Sequence, residues 1–200
     1  MLVFWDQRLA FLATPKTGST AIAAALEPLA ALSVQRPPVL KHTTVHRWHR
    51  FLGPYLSAAS GGDGFTLVAL MREPESWLGS WFRYRQRDDG VDPSKSTRGI
   101  GFDQFVRDWC TEPQPPHAAV GSQERFLRPR HGQGVDRLFA YERIGDFVAF
   151  LEDRLDCEVI LPRLNVSPAG DLGLEPGTRA LLRRTAPADF ALYDRIRAAA

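Results

Sequence analysis

Cysteine is scarce in this chain: Cys110 and Cys157 are the only two among 200 residues, and no CxxC pair is formed. That excludes a disulfide framework and a zinc knuckle, and it fits the reduced thiols of a cytoplasmic protein. Long hydrophobic runs are missing too. No stretch approaches the roughly eighteen consecutive apolar residues that a membrane-crossing helix needs, so no membrane span is expected. The opening MLVFWDQRLAFLATPK has no basic leader, and Asp6, Gln7 and Arg8 interrupt its apolar residues, unlike a secretory signal. Neither sign of charge prevails. Twenty-five basic side chains against 23 acidic ones leave a formal charge of +2, and nothing calls for a nucleic-acid partner. Repeats and low-complexity tracts are also absent.

What is present is enough apolar residue, 44% of the chain, to fill the core of one domain spanning residues 1–200. Short, nearly continuous β-favouring runs occur at Leu9–Ala13, Phe65–Met71, Arg137–Tyr141 and Glu158–Leu161. Continuous runs imply burial on both faces of a sheet. Helical patterning fills the intervals at Thr20–Leu32, Glu75–Arg87, Phe102–Trp109 and Asp146–Leu155, and two more helices, Gly177–Thr185 and Ala188–Ala199, close the chain. Strands alternating with helices predict an α/β domain: a central, mostly parallel sheet between helical layers, with an all-helical C-terminal tail. Residues 87–101 and 111–122, rich in Gly, Pro and charge, read as loops.

The first strand breaks into the stretch TPKTGST at residues 14–20. A ligand with several negative oxygens is held by backbone N–H groups at a helix start, by the partial positive charge there and by a nearby ammonium. Gly18 permits a close backbone approach, Lys16 supplies the cation, and Thr17, Ser19 and Thr20 add hydroxyls. The same stretch also fits a plain helix start, with Ser19 or Thr20 as the N-cap and Lys16 solvated. It is not a Walker A loop, because the lysine precedes the glycine instead of following it.

The second buried run ends in LVALMREPESWLGSWFRY. Arg72 is expected at the same carboxyl edge of the sheet as Lys16, where ligands of open α/β sheets bind. Ser80 falls on the following helix, eight residues beyond Arg72, where hydroxyl and guanidinium could grip one phosphate together. The alternative is a surface Arg72 paired with Glu73 or Glu75, and a serine packed at a helix crossing.

Together the two motifs resemble those of the sulfotransferases that use 3′-phosphoadenosine 5′-phosphosulfate (PAPS). TPKTGST is similar to their 5′-phosphosulfate loop, and REPESWLGS to their 3′-phosphate motif, an Arg-x-Pro with a Ser at the eighth position. KHTTVHRW at 41–48, LFAYERIGDF at 138–147, RLNVSP at 163–168 and DFALYDRI at 189–196 resemble further segments of the bacterial and Golgi carbohydrate-type branch, so the similarity spans nearly the whole chain. The resemblance implies a P-loop NTPase-like, three-layer sandwich. It implies that Lys16, Thr17, Gly18, Ser19 and Thr20 hold the 5′-phosphosulfate, and Arg72 and Ser80 the 3′-phosphate. PAPS would be the donor, no metal would be required, and the acceptor would be a hydroxyl on a small molecule or saccharide.

Lys16 is the residue expected to stabilise charge on the departing 5′-phosphate. His42 is the expected base for the acceptor hydroxyl, with Glu142 as an alternative base or an organiser of neighbouring cations. His42, His46 and His49 also fit surface histidines, and the spacing of His42 and His46 fits a metal pair. Ala21 stands where many small-molecule sulfotransferases carry an adenine-contacting tryptophan, so the base must be held differently. Trp77, Trp81 and Phe82 have the spacing of core residues. Residues 87–101, with Arg87, Lys95 and Arg98, fit a solvated loop or one that closes over an anionic acceptor. Two other functions share this pattern: a P-loop-type kinase using ATP and magnesium, and a protein that binds the nucleotide without turnover.

Overall fold

The computed structural model describes residues 1–87, 91–129, 134–162 and 172–199. The late RLNVSP segment therefore lies outside the described residues. The chain opens on a hairpin: β1 (Leu2–Phe4) turns through residues 5–8 into β2 (Leu9–Leu12). Arg8 takes φ 48° in that turn and donates its N–H to the Trp5 carbonyl. The polar Asp6, Gln7 and Arg8 that interrupt the apolar opening are thus the turn between two strands. After β2 come α1 (Ser19–Leu26), a single 3₁₀ turn at Glu27–Leu29, and β3 (Leu32–Ser33). The predicted helix to Leu32 stops early because Pro28 has no N–H to carry the ladder on.

Next, α2 (Pro38–Lys41) leads to α3 (Val45–Arg47), which passes through a π turn at Trp48–Leu52 into α4 (Gly53–Ala59). Strand β4 (Thr66–Met71) feeds α5 (Pro74–Arg85), whose start is fixed by Pro74 at the first helical position and by the Glu73 carboxylate accepting from the Ser76 N–H. Then follow α6 (Phe102–Trp109), α7 (Gln123–Leu127), β5 (Arg137–Ala140), α8 (Ile144–Leu155), α9 (Pro176–Thr185) and α10 (Pro187–Ala198).

One five-stranded sheet results, in the order β3-β1-β2-β4-β5. β2, β4 and β5 run parallel, whereas β1 pairs antiparallel with both β2 and β3. The sheet is therefore not mostly parallel, contrary to the expectation from strand–helix alternation. The cause is local: a four-residue turn can only return the chain antiparallel, and a parallel neighbour needs a long crossover. The run Glu158–Leu161 does not form a strand. Val159 is buried, and its N–H donates to the Glu152 side chain instead of to a ladder.

Strand residues alternate between two cores. Val3, Ala10, Leu12, Leu67, Ala69 and Met71 pack with Val45, Trp48, Phe126, Tyr193 and Ile196 on one face. Leu2, Phe4, Leu9, Phe11, Val68 and Leu70 pack with Ile22, Leu26, Phe147 and Leu151 on the other. The sheet thus lies between helical layers. A third cluster unites α5, α6 and α9 beyond the sheet through Trp77, Phe82, Phe105 and Leu182. Among the described residues, no helix is long and apolar enough to cross a membrane.

The two predicted loops are tied down at several points. Thr97 is buried and donates its hydroxyl to the Phe82 carbonyl, while Arg98 donates to Gln86 O. Arg85 donates to the carbonyls of Pro116, His117 and Ala119, so one guanidinium organises the second loop.

Candidate functional site

Parallel strands β2 and β4 end side by side, with Leu12 opposite Ala69, so the segments that follow emerge at one edge of the sheet. Residues 13–18 form a tight loop there. Thr17 is fully buried, and its hydroxyl donates 2.9 Å to the Thr14 carbonyl, so this side chain braces the loop instead of offering a donor to a ligand. Trp77 on α5 braces the loop from outside by donating its indole N–H to Pro15 O.

Gly18 occupies the N-cap position of α1 at φ 73°, and no side chain caps the helix. The reading of Ser19 or Thr20 as the cap is thereby corrected: Ser19 is already the first helical residue, and the first-turn N–H groups of α1 receive no side-chain acceptor. A Cβ at residue 18 would lie 3.1 Å from the Tyr141 ring. Gly18→Ala should therefore lower stability by about 1–2 kcal/mol for the left-handed backbone alone, with the Tyr141 contact adding to it. Urea unfolding measures this, and a variant as stable as the parent would refute the conformational role.

Lys16 also takes a left-handed conformation, φ 66°, at a residue with a Cβ. Its ammonium sits 4.1 Å from the Tyr84 ring centroid and 5.3 Å from that of Trp81, both on α5. Burial, followed by the nearby Arg87 and Arg72 guanidinium groups, pulls its pKa down to about 8. Trp81 thus differs from Trp77 and Phe82: those two are core residues, as their spacing predicts, while Trp81 lines the lysine site.

Arg72 reaches the same rim. Its Nη1 donates to Lys16 O at 3.4 Å, its Nε donates to Ser76 Oγ at 2.8 Å, and its guanidinium lies 4.8 Å from the Tyr141 ring centroid. The surface-ion-pair alternative does not hold, because Glu75 pairs instead with Arg179 and Glu73 caps α5. Tyr141 links the two halves of the site, packing against Gly18 and under Arg72. Ser80 is buried on α5, one turn beyond Ser76 on the same helix face. The nearer hydroxyl, Ser76, is the one the guanidinium engages, and sequence spacing alone did not single it out.

His42 follows α2, and its Nδ1 lies 2.7 Å from Ala13 O. A carbonyl can only accept, so Nδ1 carries the proton and Nε2 keeps its lone pair. Burial lowers the pKa of the ring below its ordinary value, with Lys41 and Lys16 adding to the effect. Lys41, next to it, donates to Thr20 Oγ1 at 3.3 Å. The segment 41–42 is therefore tied to both ends of the loop between β2 and α1. Lys41 belongs to the quoted KHTTVHRW stretch but received no role from sequence. Among the described residues, no three His, Cys, Asp or Glu side chains cluster as a metal site would require.

Both oxygens of Glu142 are engaged: one accepts from the Glu73 N–H at 3.0 Å, the other from Tyr193 OH at 2.7 Å. That geometry makes Glu142 an organiser of the Arg72 segment. Beside the loop opens a cleft of about 220 Å³ lined by Thr14, Pro15, Thr44, Trp77, Gln123 and Phe126, among others. Comparison with protein-family models, with curated proteins and with solved structures finds no match to this chain.

Proposed function

We propose that this protein is a sulfotransferase that moves the sulfuryl group of PAPS to an acceptor hydroxyl on a small molecule or saccharide. The observation that carries the reading is the meeting of Lys16 and Arg72 at one sheet edge, where Arg72 Nη1 donates to the Lys16 backbone carbonyl at 3.4 Å and the guanidinium is near enough to help lower the pKa of the Lys16 ammonium. A nucleotide with phosphates at two ends needs two separate cationic grips on one rim. The uncapped start of α1, with Gly18 and Ser19, and the Lys16 ammonium suit the 5′ end. Arg72, with Ser76 and Ser80 on the adjoining helix face, suits the 3′-phosphate.

In this reading, transfer is an in-line displacement. The bond from sulfur to the bridging oxygen of the 5′-phosphate breaks as the acceptor oxygen bonds to sulfur. Negative charge collects on the leaving phosphate, where Lys16 offsets it. His42 Nε2 takes the acceptor proton, and orientation supplies much of the remaining acceleration. The cleft beside Pro15 offers room for the acceptor.

The direct test is a thermal-shift comparison of 3′-phosphoadenosine 5′-phosphate with ADP and with ATP plus magnesium. A ligand at a hundred times its Kd stabilises the folded form by about 2.7 kcal/mol, so the 3′-phosphorylated nucleotide should raise Tm and the other two much less. Equal shifts with ADP, or a larger one with magnesium-ATP, would overturn the reading in favour of a kinase. Strong binding with no sulfate ester formed across a broad acceptor panel would indicate a binding protein.

His42 gives a separate pH prediction. Its neutral form is required, so kcat/KM should fall as pH drops through its lowered pKa, below 6.5. His42→Asn should lose that acid limb along with most of the rate. Linkage has a matching sign: the unfolded chain binds the proton first, so this histidine costs stability below its unfolded pKa and the cost disappears as pH rises past 6.5. An acid limb that persists unchanged in His42→Asn removes it as the base.

A further inference from the structure

Arg72 stands between the last residue of β4 and the first turn of α5, where neither strand nor helix supplies partners for its backbone. Both of its backbone groups are nevertheless satisfied, and by a single side chain. The Arg72 N–H donates to Gln123 Oε1 at 2.8 Å, and Gln123 Nε2 donates to Arg72 O at 2.7 Å. The amide orientation is fixed by chemistry, since an N–H can only donate and a carbonyl only accept. Gln123 imitates one rung of an additional strand. It is 1% exposed, so losing either bond would leave a desolvated polar group.

Gln123 is itself held from α10. One oxygen of the buried Asp189 carboxylate accepts from the N–H groups of Gln123 at 3.0 Å and Glu124 at 3.1 Å, at the start of α7. One helical turn later on the same face of α10, Tyr193 donates to Glu142, whose other oxygen takes the Glu73 N–H. Two relays thus run from one helix face to consecutive residues, 72 and 73.

We propose that Gln123, held by Asp189, is the positioning residue that aims Arg72 at the 3′-phosphate of the donor. This rests on the donor reading given above. The guanidinium depends on its backbone for direction: it must satisfy Ser76 Oγ and Lys16 O at once, and a shift of the Arg72 Cα would break one of them. Gln123 also lines the cleft beside Pro15, so the residue that fixes the donor grip forms a wall of the neighbouring space.

The experiment compares binding of 3′-phosphoadenosine 5′-phosphate and adenosine 5′-phosphate by calorimetry in four proteins: the parent, Gln123→Leu, Arg72→Ala and the double variant. The parent should prefer the 3′-phosphorylated nucleotide. Gln123→Leu should lose about tenfold to thirtyfold of that preference, as expected when one guanidinium–phosphate bond is misaligned, while its affinity for adenosine 5′-phosphate stays near the parent's. In the Arg72→Ala background the Gln123 change should add nothing, because its effect passes through Arg72. Gln123→Glu, similar in size and still able to accept from the Arg72 N–H, serves if the leucine variant does not fold, and should show a smaller loss of the same kind. Equal losses for both nucleotides, or additive losses in the double variant, would overturn the positioning role. A parent that does not distinguish the two nucleotides would overturn the donor reading itself, and this role with it.

Discussion

Lys16→Ala should lower turnover by about 10²- to 10³-fold, the usual cost of removing one preorganised donor at a site of developing charge. The fold should survive the change. The ammonium is desolvated and faces Arg72 and Arg87, so its removal relieves electrostatic cost even as the contacts with Tyr84 and Trp81 are lost. Its pKa of about 8 makes the prediction specific. Only the protonated form offsets leaving-group charge, so kcat/KM should fall as pH rises through about 8. Lys16→Arg keeps a cation throughout this range, and the alkaline limb should vanish in it even though the rate is lower. Linkage runs the opposite way: between pH 8 and 10.5 the unfolded chain holds the proton that the folded chain has released, so stability rises with pH across the window in which activity falls. An alkaline limb unmoved by Lys16→Arg, or a Lys16→Ala enzyme of near-normal turnover, would remove Lys16 from the chemistry.

The parts of this site that are local in sequence are the parts that sequence exposes. Lys16 and Gly18 follow directly on a buried run, and so does Arg72. Parallel pairing of β2 with β4 then brings both to one edge. The helix at 102–109 is legible for a similar reason: the apolar Phe102, Phe105, Val106 and Trp109 recur at helical spacing, and all four are buried. The hairpin is not legible, because its polar turn reads as an interruption of one apolar segment, and missing it makes the sheet seem mostly parallel. Short β3 carries no periodic signal in two residues.

Partners distant in the chain are hidden for another reason. Gln123 and Arg72 are 51 residues apart, and Asp189 lies 66 beyond Gln123. Nothing in the local pattern QERFL marks a glutamine whose amide will close around an arginine's backbone. Tyr141, which packs on both Gly18 and Arg72, is likewise visible only once β5 lies beside β4. Motif spacing marks Ser80, whereas the hydroxyl that accepts from the Arg72 guanidinium is Ser76, four residues beyond it on the first turn of α5.

Arg72→Ala should act mainly on donor affinity. Bonds from a guanidinium to a phosphate contribute about 1.5–3 kcal/mol, so the Kd for 3′-phosphoadenosine 5′-phosphate should rise by roughly 10- to 150-fold, with adenosine 5′-phosphate affected far less. Arg72→Lys should recover little of this. The present geometry uses Nε toward Ser76 and Nη1 toward Lys16 O, and a lysine offers a single nitrogen for both tasks. A smaller drop in turnover should accompany the binding loss, because the bond to Lys16 O also helps hold a left-handed residue whose ammonium, in the proposed reaction, meets the leaving phosphate. On the proposed donor reading the ratio of the two effects separates the grips: residue 16 should govern kcat and residue 72 should govern KM. Equal weakening of both nucleotides by Arg72→Ala would mean that the arginine supports the loop and does not read the 3′ end.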